Sequence, residues 1–498
     1  MKKILLLAFV LFALSAVAQL KQEKRIELEL QDGYTDEKVY EFGEKGFVIQ
    51  SRKEELDDDG MVNWRYELYN TDLEKENEVV VQVSKRQGYD ESYSDDNKIY
   101  TFFKHRKGEY TLVSLDVNTL KYDIVQGELP KKCVVTEMAV VNDYAYFAST
   151  IQNAPYVFAV NCKTGLDKPV IFQVPGAKLK HINLEKFQVL EKDKEVILHI
   201  YAYVSRVRKS YLMVLDDQGY KKSMFELAND PENTLTDQTV TKLAENEYIL
   251  MGTYSTRSVM SEGIFFSRLI DEKMEDISYY KFTELNNFFS YLPERKQERI
   301  EKKKKRKSSK GKDFVLSYNI ALHELVEVEG GYMLVGEAYY PTSHTITTTT
   351  MVNGAPSTST QTIFDGYQYT HAFISKFSLD GKLEWSQSFE MWPSYKPFVV
   401  KRFVNGVVEK DQLKLLFANR SKIVTKVMNN VGEVITDKES ESIETLYSED
   451  KTKWTFSSLN YWYGNHFLIY GKQKIKNKDD QAEKRKRYVF FISKISFE

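Results

Sequence analysis

The stretch His323-Glu324-Leu325-Val326-Glu327 comes nearest to a recognised chemistry, because a zinc-protease helix also opens with His-Glu and repeats a ligand four residues on. Here the last position is Glu rather than His. The segment also alternates as a strand does, and in a strand residues four apart lie about 13 Å from each other, too far to chelate one ion. It reads as a set of satisfied or solvent-facing side chains. Asp57-Asp58-Asp59-Gly60 offers the oxygens a hard cation takes, but without the alternating acidic spacing of a calcium loop, so it reads as a charged turn. No nucleophile elbow, Walker loop or glycine-rich dinucleotide turn occurs. With 72 Asp and Glu in the chain, spacing alone nominates no catalytic pair. The expectation is no catalytic residue, no metal site and no cofactor.

Formal net charge is only −2, yet one segment is strongly basic. Between 285 and 317, Arg295, Lys296, Arg299, Lys302, Lys303, Lys304, Lys305, Arg306, Lys307, Lys310 and Lys312 face Glu294, Glu298 and Glu301. Such a run forms either a solvated helical arm or a contact for a polyanion such as an acidic glycan. Arg206, Arg208, Lys209 and Arg257 lean the same way in other loops, as does the run from Lys484 to Arg487. Tyr340, Tyr367 and Trp392 add flat rings suited to a sugar or a peptide, alongside Tyr339, Tyr369 and Tyr395, most of them expected to pack between structural units. The candidate ligand-binding set is therefore Arg206, Arg208, Lys209, Arg257, Tyr340, Tyr367 and Trp392. Nucleic acid is not expected, because no aromatic residue interleaves the basic run.

The elements that must position these residues repeat. In 328–389, Glu329-Gly330-Gly331 turns into the strand Tyr332-Met333-Leu334-Val335-Gly336, Ala372-Phe373-Ile374-Ser375-Lys376 forms the next, and Asp380-Gly381 turns into Leu383-Glu384-Trp385. Tyr248-Ile249-Leu250-Met251-Gly252 and Phe467-Leu468-Ile469-Tyr470-Gly471 carry the same punctuation. Counted by their apolar second strands, the units fall at 47–49, 99–103, 144–147, 196–201, 248–251, 332–335, 413–417 and 467–470. Spacing is roughly 50 residues, the period of propeller blades, apart from two gaps roughly 30 longer that hold 285–317 and 341–369. The last unit ends after its third strand, and Arg25-Ile26-Glu27-Leu28-Glu29-Leu30 is an alternating strand without a unit. Pairing the two closes a ring and removes its open edges.

The 328–389 unit resembles the blades of secreted bacterial β-propeller proteins, with no named subfamily. The resemblance covers one unit well, two in part and five by pattern. It implies an all-β, eight-bladed β-propeller of four-stranded antiparallel blades closed by the N-terminal strand, with seven blades as the alternative. In propellers of this kind the loops between second and third strands and between blades share one face, so both insertions are expected to rise together. The Thr- and Ser-rich 341–369 insertion predicts a two-stranded finger turning at Asn353-Gly354.

Lys2 and Lys3, the apolar 4–14 run and Ala16-Val17-Ala18 predict a signal peptide over 1–18, with one propeller domain over 19–498 and no membrane-spanning segment after its removal. Export to periplasm, cell surface or medium follows. Cys133 and Cys162 are expected at opposite ends of one blade and unbridged. The preferred reading is an exported, non-enzymatic scaffold that binds a protein or polysaccharide partner, anionic in one version, on the insertion-bearing face. A propeller enzyme acting on polysaccharide or peptide at the channel, or a structural envelope component, are the alternatives.

Overall fold

The computed structural model describes residues 20–497 except 31–33, 172, 228, 229, 231, 257, 258, 276, 353, 354, 410 and 478–484. The expected signal peptide, Arg257, Lys484 and the Asn353-Gly354 turn thus lie outside the described residues. Eight antiparallel sheets follow one another along the chain, seven built on four strands in sequence order and the eighth on three plus the N-terminal strand, and together they form an eight-bladed β-propeller. Every second strand anticipated from the apolar runs is present, from Phe47–Leu56 in blade one to His466–Asn477 in blade eight.

Ring closure follows the expected route. The N-terminal strand Leu20–Glu29 pairs antiparallel with Lys486–Phe497, from Leu20↔Phe497 to Glu29↔Val489, and becomes the outer strand of the last blade. The apolar core divides accordingly. Among the described residues it forms eight clusters, one at each junction between neighbouring blades. At the closing junction, Val39, Phe47 and Ile49 of blade one meet Trp462, Leu468 and Ile492 of blade eight. Each such buried side chain stabilises the junction by about 1.5–3 kcal/mol relative to exposure, so the ring is held by packing between sheets as much as by pairing within them.

Gly252, Gly336 and Gly471, the repeated glycines of the strand motif, stand where the second strand crosses closest to its neighbours. A Cβ at Gly252 would lie 2.1 Å from the Asp237 carbonyl oxygen, and one at Gly471 2.0 Å from that of Phe456. Only a residue without a side chain fits there.

Both insertions adjoin blade six: the basic one joins it to blade five, and the other extends its second and third strands. Those strands run on as Gly331–Val352 and Ala355–Ser378, paired out to Val352↔Ala355 with register shifts at Ala338/Tyr339 and Thr342/Ser343, which makes the finger. The basic insertion forms the helix Glu294–Ser308, with no buried residue, Glu294 at its N-terminal turn and Lys305, Arg306 and Lys307 at its C-terminal turn, as the helix dipole favours. Leu285 and Phe288, just before it, are buried against blade six. The strand expected through 323–327 is interrupted. Asn319–Leu322 and Val326–Val328 flank a break in which the His323 ring is drawn to the Glu337 carboxylate at 2.8 Å. Cys133 and Cys162 are buried and unpaired.

Candidate functional site at the channel mouth

The first strand of each blade lines the central channel, and in six of them the pairing register slips. The slips fall between Thr35 and Lys38, Tyr89 and Glu91, Val135 and Glu137, Leu184 and Lys186, Leu235 and Asp237, and Thr452 and Trp454. Each is a β-bulge, one extra residue that bends the strand and re-aims the side chains beside it. In blades two to five the bulge falls on Asp90-Glu91, Thr136-Glu137, Glu185-Lys186 and Thr236-Asp237. The recurrence sets polar and charged side chains at one height on the channel wall.

The bulges of blades three, four and five open onto a cavity of about 1210 Å3, lined across from them by Asn319 to Leu322 of blade six and by Val400, Lys401 and Arg402. A second cavity of about 720 Å3 continues toward the other end, past Glu191, Lys242 and Glu327. Glu137 and Arg402 border both cavities and so mark the waist between them.

Arg402 belongs to the connection 391–404 between blades six and seven. Buried Glu337 holds that connection in place by accepting the backbone N–H groups of Phe403 and Val404, each at 2.8 Å. Arg402 itself lies 3.8 Å from Glu324.

Charges on the wall are largely matched. Lys186 donates to Asp237 at 2.6 Å, and Arg208 donates to Glu185 at 2.7 Å while its guanidinium lies 4.4 Å above the Tyr201 ring. Glu137 accepts the Phe187 backbone N–H at 2.9 Å. Burial, offset in part by that hydrogen bond and by the charges of Lys186 and Arg402, pushes its carboxyl up to about 7. Burial likewise pushes Glu185 up to about 7 despite Arg208. Among the described residues no group of three or more His, Cys, Asp and Glu side chains is arranged to hold a metal ion.

The structure separates the residues singled out from sequence. Arg208 reaches the cavity only through its bond to Glu185, whereas Lys209, its neighbour along the strand, turns to Glu226 on the fourth strand of the blade. Arg206 sits at the tip of the turn at φ 69°, exposed. Tyr367 is half-buried in a run of ring contacts, 5.1 Å from Tyr339 and 5.1 Å from Phe364. Tyr340 and Trp392 are half-exposed. Arg487, expected in a loop, is instead buried between Glu27 and Asp450, because the N-terminal strand brings an acid to it. The bulge residues were missed. Their signal is a Thr, Asp or Glu followed by a charged residue near the start of the first strands of blades two to five, visible once the blades are aligned.

No family model matches the chain, and neither does any curated protein. Three similar solved structures share 8 to 11% identity with it. The WD40 domain of SCAP from fission yeast matches over 96% of this chain and 98% of its own, with 8% identity and a TM-score of 0.40. The polysaccharide lyase Uly1 matches over 96% of this chain and 100% of its own, with 9% identity and a TM-score of 0.41. The tricorn protease matches over 85% of this chain at 11% identity and a TM-score of 0.37, and this chain spans 36% of its length. The propeller assignment rests on the sheet order itself. Among the described residues, no helix is long and apolar enough to cross a membrane.

Proposed function

We propose that the protein is an exported binding propeller that holds a protein or extended glycan partner at the end of the ring bearing the two insertions. The observation that supports it is the recurring bulge, which turns charged and hydroxyl side chains of three successive blades into one cavity. Pockets with a few convergent polar groups on a rigid scaffold are the usual ligand sites of such folds. The finger and the basic helix both leave the ring by connections on the same end, and extend the surface a large partner meets. Profiles on arrays of envelope polysaccharides and of peptides, compared between the wild type and a variant lacking the finger tip and the helix Glu294–Ser308, test the reading. Loss of the wild-type ligands is expected; an unchanged profile overturns it.

A second reading has its own observation. Glu137 and Glu185 line one cavity, and a carboxyl titrating near neutrality is suited to giving and taking a proton. A propeller enzyme of that kind releases reducing ends or unsaturated sugars from polysaccharide, or new amines from peptide. Absence of any such product across a substrate panel removes that reading.

A further inference from the structure

Among the described residues, Glu137 is the carboxylate of the cavity with no ion pair of its own, whereas Glu185 and Asp237 each have one. The charged groups facing it are Lys186 on the first strand of blade four, Arg402 on the 391–404 connection and Glu91 on the first strand of blade two. Lys186 is bonded to Asp237 and Arg402 lies against Glu324. What Glu137 receives is one backbone N–H, from Phe187. Burial raises its carboxyl to about 7, and the Phe187 N–H, Lys186 and Arg402 offset that only in part.

Beside the charged lining, which includes Lys401 and Arg402, apolar side chains of the same connection and of the loop at Val259 stand open to solvent. Phe398 and Val399 are 70% and 63% exposed, Val400 is exposed beside them, and Val259 is 89% exposed with Met260 next to it. Val259 and Val400 line the same cavity as Glu137. Phe364 of the finger touches Phe398 at 6.0 Å between ring centres and joins the rim to the aromatic run of the finger base. Exposed apolar side chains gathered at a cavity mouth mark a surface that meets another molecule. Aliphatic rim residues offer nothing to pair with sugar hydroxyls, whose burial without partners is costly.

The geometry points to a polypeptide segment as the ligand of this mouth: an apolar side chain lies on the rim formed by Phe398, Val399 and Val400, and a neighbouring Lys or Arg reaches down to the Glu137 carboxylate. This rests on the binding reading above and names the ligand class of that site. The floor supplies charge complementarity and the rim supplies apolar contact, so neither a purely basic nor a purely apolar peptide satisfies both.

The test uses short, doubly capped synthetic peptides in which Lys or Arg is flanked by Leu, Phe or Val, with binding read by fluorescence anisotropy. The best binder is remade with norleucine for Lys or citrulline for Arg. About a tenfold loss of affinity is expected for the neutral peptide, and a similar loss for the cationic peptide against Glu137→Gln. That variant should not distinguish the two peptides. Val399→Ser, at an exposed position where folding is not at stake, should weaken binding several-fold. Calorimetry at pH 7 in buffers of different ionisation enthalpy should show protons released on binding to the wild type and markedly fewer with Glu137→Gln, where Glu185 alone is left to titrate near 7. Equal binding of the neutral peptide, or full affinity in Glu137→Gln or in Val399→Ser, overturns the proposal. If polysaccharide binds and peptides do not, the peptide assignment falls while the binding reading stands; if neither binds, both fall.

Discussion

Arg487 Nε donates to Glu27 Oε2 at 2.8 Å, across 460 residues of chain, and its other nitrogens reach Asp450. Arg25 adds a second guanidinium on Glu27, 2.8 Å away, and donates to Gln473 at 2.6 Å. The side chains of Arg25 and Glu27 are 2% and 4% exposed. Two cations and two anions therefore neutralise each other at the seam where the N-terminal strand closes the ring. Removing one member strands a buried charge, which costs about 3–5 kcal/mol. Glu27→Ala should lower the denaturation midpoint accordingly, and in a double-mutant cycle Arg487→Ala should show strong coupling to it. A midpoint unchanged by Glu27→Ala would detach ring closure from this network.

Stability should fall on both sides of a mildly acidic optimum. Burial opposes ionisation of Asp450, but its bonds and proximity to Arg487 win and hold the carboxyl below its usual value. The stability it contributes is present above the unfolded value near 3.9 and is lost as pH falls through the lowered folded value. Glu137, Glu185 and Glu41 are shifted the other way, each to about 7 from 4.5. The folded state then holds more protons than the unfolded one between those values, so stability declines as pH rises from about 4.5 to 7. Thermal midpoints measured across pH 3 to 8 should show both slopes, and Glu137→Gln should flatten the upper one.

Gly252→Ala should destabilise the fold by about 1–3 kcal/mol through overpacking, since the new methyl meets the Asp237 carbonyl. The same substitution pushes on the blade-five bulge. Loss of the Lys186 to Asp237 bond, read from a weaker charge coupling between those two residues, should accompany the drop in midpoint; a silent substitution would mean the strands do not approach as closely as described.

Shortening the finger by removing 345–362 and joining the ends with a tight turn should leave the thermal midpoint nearly unchanged. The described residues of that span are exposed, whereas the rings that pack at its base, Tyr339, Tyr367 and Tyr369, remain. A large loss of stability would assign the finger to the scaffold rather than to its surface.

The sequence by itself determined the repeat, the eight second strands and the closing strand. Second strands are buried on both faces and so read as continuous apolar runs, Phe47-Val48-Ile49 or Phe467-Leu468-Ile469, while an orphan alternating strand at one end answers a missing strand at the other. It could not place the channel wall. A bulge is a mismatch between two strands, so whether Glu137 or Glu185 turns into the cavity depends on the partner register rather than on either residue's neighbours. Only the tertiary structure brought Arg402 to the waist of the channel, because its position depends on Glu337, far along the chain, capturing the backbone of Phe403 and Val404. Likewise it parted Arg208 from Lys209, since adjacent residues of a strand face opposite sides, one toward Glu185 of the first strand and the other toward Glu226 of the fourth.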